Sequence, residues 1–87
     1  EDSSPLYENY LGYILIDHEI DIKTGMQHIR EVLKVQPKSA YYLDSLAWGY
    51  FKLGQCQKAN VIMNKVVTYK GGDYPEVKAH VLKIHKC

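Results

Sequence analysis

Four histidines (His18, His28, His80, His85) and two cysteines (Cys56, Cys87) are the side chains of this 87-residue chain best suited to metal or proton chemistry. Their spacing supports neither use. His80 and His85 are five residues apart, off the i, i+4 separation that sets two ligands on one helix face. His18 lies among Asp17, Glu19 and Asp21, but a calcium loop wants alternating ligands about a central glycine, and here there is none. Gly71-Gly72 is a connector and not a phosphate-cradling loop. The two cysteines are too few for a disulfide framework and lack metal-ligand spacing, so Cys56 reads as a buried structural thiol and Cys87 as a reactive terminal one. The chain is expected to be no enzyme and to need no cofactor or metal.

The aromatic residues are more promising. Eight tyrosines, one tryptophan and one phenylalanine are many for this length, and rings of this kind give large contact area at small entropic cost. Tyr7, Tyr10, Tyr41, Tyr42, Tyr50 and Tyr69 are most simply read as stacking between helices. Tyr13, Trp48 and Phe51 are the candidates for a binding surface, with packing in the core of a small domain as the alternative.

Helices must position these rings, because no strand alternation persists. In "SSPLYENYLGYILI", Ser4 is an N-cap with Pro5 at the first helical position. "DHEID" is a polar turn in which Asp21 caps a second helix, and Met26, Ile29, Val32 and Leu33 fall on one face of it before Pro37. Ser39 opens a third helix that stops at Gly54, a left-handed C-cap. "QKANVIMNKVVTYK" predicts a fourth helix ending at Gly71-Gly72. Asp73 and Glu76 suggest a capping box for a fifth, with Val77, Val81 and Ile84 inward and Lys78, His80, Lys83, His85 and Lys86 facing water.

The chain also repeats itself. Leu11-Gly12 aligns with Leu46-Ala47, Gly25 with Ala59, Ile29 with Met63, Val32-Leu33 with Val66-Val67 and Pro37 with Gly71. The offset is 35 residues in the first helices and 34 in the second, so the first turn carries one extra residue. Two helices approach closely only where one offers a small residue against a large one, and Ala47 and Ala59 are such clearances. Leu46, Ala47, Tyr50, Ala59 and Met63, with Leu11, Gly12, Leu15, Gly25, Ile29 and Pro37, resemble the tetratricopeptide repeat pattern W-x2-L-G-x2-Y…A-x3-F…P. "NYLGYILID" and "YYLDSLAWGYFKLGQCQKA" are similar to a bacterial subset of that family. Leu82 stands where a small residue is expected, which leaves a third repeat incomplete.

The resemblance implies an all-α, helix–turn–helix solenoid wound as a right-handed superhelix. It would hold repeats over about 5–37 and 39–71 and a C-terminal capping helix over about 73–86, as one domain across 1–87. It also implies a non-catalytic protein-interaction module whose inner face is lined by the first helix of each pair. In this register Asn9, Tyr13, Tyr41, Asp44, Trp48 and Phe51 are the expected partner-binding residues, exposed on that face. Cys56 falls in the family's turn-packing aromatic slot, which argues against a Cys–His nucleophilic dyad. The Lys/Arg/Asn clamp with which some members hold acidic peptide ends is matched only at Asn9. The expected ligand is therefore a peptide segment or helix that is apolar or aromatic, with one cationic group near Asp17 or Asp44.

Charge and ends add two expectations. Residues 1–34 carry a balance of −4 and residues 35–87 one of +5, which suits solvated faces or steering between copies. The basic half has no arginine, which disfavours nucleic acid, and the apolar runs are too short to span a membrane. Apolar residues spread around the first helix, at Leu6, Tyr7, Tyr10, Tyr13, Ile14 and Ile16. Both of its sides want burial, as in a dimer or a longer array of which this is the C-terminal piece. The compartment is not fixed by any of these features.

Overall fold

In a computed structural model the protein is all-helical, and residues 4–87 are described. Five helices run in order: α1 Pro5–Asp17, α2 Ile22–Val35, α3 Ala40–Lys52, α4 Cys56–Val66 and α5 Pro75–His85. There is no strand among the described residues. α1 packs on α2, α3 on α4, and α3 also touches α1 and α2, while α5 lies against α3 and α4.

The first three helices start where their caps dictate. Ser4 accepts a hydrogen bond from the Tyr7 amide, Asp21 from Thr24 and Ser39 from Tyr42, each satisfying an amide that the first turn leaves orphaned. The turn between α1 and α2 holds residues 18–21, and that between α3 and α4 holds 53–55, so the extra residue lies where the repeat offset places it. Gly54 takes φ 78°, the left-handed geometry of a helix C-cap. The small residues act as clearances. A Cβ on Gly12 would lie 2.7 Å from the Gly25 carbonyl oxygen, so α1 and α2 touch backbone to backbone. Ala47 and Ala59 are fully buried in the second pair. The core runs through Ile16, Met26 and Ile29 to Met63 and Val66, and is closed by Val77 and Ile84 of α5.

Four expectations are corrected. α4 ends at Val66, not at the glycine pair: the Thr68 hydroxyl bonds the Lys65 carbonyl at 2.7 Å, and i→i+3 bonds tighten the chain after it. The Asp73–Glu76 capping box does not form, because the N-cap of α5 is Tyr74, with no side-chain cap bond. Cys56 and Cys87 are not separate thiols but a disulfide, Cα–Cα 5.8 Å. They meet because α4 and α5 run antiparallel, which also lets the Asn60 side-chain amide donate to the Ile84 carbonyl at 3.3 Å. His80, finally, faces inward.

Candidate functional site

α1, α3 and α5 converge on a cleft of about 70 Å³, several times the roughly 10–15 Å³ that one water requires. α1 contributes Asn9, Tyr10 and Tyr13; α3 contributes Tyr41, Asp44 and Ser45; α5 adds Glu76 and His80. Asn9, Asp44 and Ser45 are buried, whereas Tyr10, Tyr41 and Glu76 are exposed at the rim. The helical period accounts for this grouping. Asn9, Gly12, Tyr13 and Ile16 follow i, i+3, i+4, i+7, the spacing of one inward stripe, with polar residues set into it.

A chain of contacts holds the three helices together beside the cleft. His80 Nδ1 lies 2.9 Å from both Asp44 carboxylate oxygens, and the Tyr13 hydroxyl is 3.2 Å from His80 Nε2. One arrangement satisfies all of these: Nδ1–H donates to Asp44 and the Tyr13 O–H donates to Nε2. Burial pushes the Asp44 carboxyl above its usual range, opposed by the His80 hydrogen bond and charge. Burial foremost, then the Asp17 and Asp44 carboxylates, pushes the Tyr13 hydroxyl up to about 12. An Asp–His–hydroxyl sequence suggests a nucleophile, yet Tyr13 moves away from ionisation, opposite to what activation needs. What the contacts accomplish is to dock α5 onto α1 and α3.

Asn9 is different. It is 2% exposed, and its Oδ1 has no hydrogen-bond partner among the described residues. An unsatisfied buried acceptor costs on the order of 1–3 kcal/mol. Asn9 also lines the cleft, so a donor that enters there can relieve such a cost.

Of the expected partner-binding residues, Asn9, Tyr13, Tyr41 and Asp44 are brought together in the cleft, and Trp48 and Phe51 are not. Exposure was expected of all six, and three are buried instead: Asn9 at 2%, Asp44 at 3% and Trp48 at 4%. Trp48 is covered because α5 lies over α3. Its ring stacks on His80 with centroids 4.0 Å apart and on Phe51 at 4.7 Å, and its Nε1–H donates to Asp17 Oδ1 at 3.0 Å. Two tyrosines expected to stack between helices, Tyr7 and Tyr10, are each 61% exposed. Sequence reasoning missed Tyr10, Ser45, Glu76 and His80 as cleft residues. A signal for His80 was present: Val77, His80, Val81 and Ile84 follow i, i+3, i+4, i+7, so the histidine shares the apolar face of α5.

Comparison with family models, with curated proteins and with solved structures finds no match for this chain. No described helix is long and apolar enough to cross a membrane.

Proposed function

We propose that this protein is a non-catalytic interaction module of the tetratricopeptide type. In this reading its helix pairs stack as two repeats of a right-handed solenoid with α5 as the cap, and the cleft receives a segment of a partner protein. The observation that carries the reading is the buried, unsatisfied carboxamide oxygen of Asn9 beneath the tyrosine rim. A buried acceptor with no donor among the described residues leaves a place for one that a partner segment brings into the cleft. Rigid helices hold Tyr10, Tyr13 and Tyr41 in place, so binding would lose little receptor entropy. The binding surface is thus centred on Tyr13 and Tyr41, with Trp48 and Phe51 as its support.

The test is selection from a displayed peptide library, comparing wild type with a Tyr10→Ser, Tyr41→Ser double variant. Both rings are exposed, so the variant should fold. Peptides enriched by wild type and lost on the variant support the cleft. Equal enrichment on both sinks it.

A second reading is favoured by one surface. Leu6, Tyr7 and Tyr10 leave an apolar strip on α1 exposed, and such a strip suits another copy or a preceding repeat. Sedimentation should then show mass rising with concentration, and salt should weaken the association if the oppositely charged halves steer it.

A further inference from the structure

The cleft contains two carboxylates, Asp44 and Glu76, and neither lysine nor arginine lines it. Three phenol rings, those of Tyr10, Tyr13 and Tyr41, border the same space. Among the described residues, the one cation-capable side chain in the lining is His80, whose two ring nitrogens are already engaged by Asp44 and Tyr13. Asn9, which lines the same cleft, has a buried Oδ1 with no donor among the described residues. Carboxylates, ring faces and a free carbonyl oxygen all attract a group that is positive and rich in N–H. Each of them repels, or is wasted on, an anion.

We propose that the cleft is a receptor for one ammonium group, the end of a lysine side chain of the partner segment. Asn9 Oδ1 is its buried acceptor, and Tyr10, Tyr13 and Tyr41 are its walls. The inference rests on the reading of this cleft as the binding surface and adds the chemistry of what enters it. A volume of about 70 Å³ fits the compact end of a lysine and leaves its methylenes between the exposed rings of Tyr10 and Tyr41. Glu76, on α5 at the rim, supplies long-range attraction, while Asp44 and Asn9 act at close range. Tyr13 gains a second role: its hydroxyl bonds His80, and its ring is part of the cleft lining that the cation would meet.

The test uses small probes that mimic the side chain without a partner. Titrations with n-butylammonium, n-butanol, butyrate and calcium chloride would be followed by ¹H–¹⁵N NMR at the Asn9 side-chain amide and the Tyr13 and Ser45 backbone amides. Saturable shifts are expected with n-butylammonium, with binding weaker by roughly tenfold for n-butanol and undetectable for butyrate. Glu76→Gln, an exposed change, should weaken n-butylammonium by about threefold, and Asn9→Leu should abolish the shifts. Equal response to n-butanol and n-butylammonium would overturn the inference while leaving the cleft as an apolar binding surface. Calcium producing the same shifts would overturn it in favour of a metal ion. No shift with any probe would also overturn it, and if peptide selection fails as well, the binding surface falls with it.

Discussion

Tyr13 and Trp48 stand 35 residues apart, at equivalent places on α1 and α3, and they have opposite fates. Trp48 is packed between Phe51 and His80, with its indole nitrogen anchored on Asp17. Tyr13 is only partly buried, lines the cleft and meets His80 through its hydroxyl and a tilted ring contact. The difference comes from α5, which packs along α3 and meets α1 at Tyr13 through His80. An aromatic at this place in a helix pair becomes core or surface according to what packs next to it, not according to its own helix.

Several measurements can break or sharpen that contrast. The largest effect should come from Trp48→Ala, which removes a buried ring and should cost about 3–5 kcal/mol of stability in chemical denaturation. Tyr13→Phe should cost no more than about 1.5 kcal/mol, the net worth of one hydrogen bond. Similar losses for the two would erase the distinction between core and cleft.

Next in size is the disulfide. It closes a loop of sequence separation 31, for which chain entropy predicts about 3–4 kcal/mol. Cys87→Ser, or reduction, should lower the denaturation midpoint accordingly. Because Cys87 follows α5, the loss should also loosen the helix that carries His80 and weaken the stacking on Trp48. Tryptophan fluorescence that shifts to the red under native conditions would show this, and unchanged fluorescence would mean that α5 stays docked without the bond.

Smaller effects separate the two titrating groups. A carboxyl whose folded value is raised binds its proton more tightly in the native state. The Asp44 contribution to stability is therefore complete below its unfolded value near 3.8 and is lost as pH rises through the folded value. Asp44→Asn should remove that fall in stability as pH rises above 3.8, and a variant with the wild-type slope would show that another group causes it. The Tyr13 hydroxyl works in the alkaline range. Its contribution is intact below the unfolded value of 10.0 and is lost as pH rises through about 12, so ultraviolet titration should show a late tyrosine that Tyr13→Phe removes.

Much of the fold was legible because its causes are local. Ser4, Asp21 and Ser39 cap helices whatever surrounds them, and Gly54 turns the chain by its own geometry. Gly12 with Gly25, and Ala47 with Ala59, mark helix crossings because only small residues let backbones approach. The cleft was half legible. Asn9, Tyr13, Tyr41 and Asp44 share a register and line one cleft, but their depth depends on α5. The rotation of α5 is fixed by Val77 and Ile84 fitting the core, and that fit turns His80 inward over Asp44 and Trp48. The Cys56–Cys87 bond escaped for the same reason. Its partners are brought together by an antiparallel packing that spacing along the chain does not reveal.

The central claim is that the cleft serves binding at the expense of the fold, while Trp48 serves the fold. The most direct measurement is Asn9→Leu, followed by urea denaturation and by retention of library-selected peptides. The account predicts a variant more stable by about 1–2 kcal/mol, since an unpaired buried acceptor is removed, with peptide binding lost. A variant that is less stable, or that still retains the peptides, would contradict it.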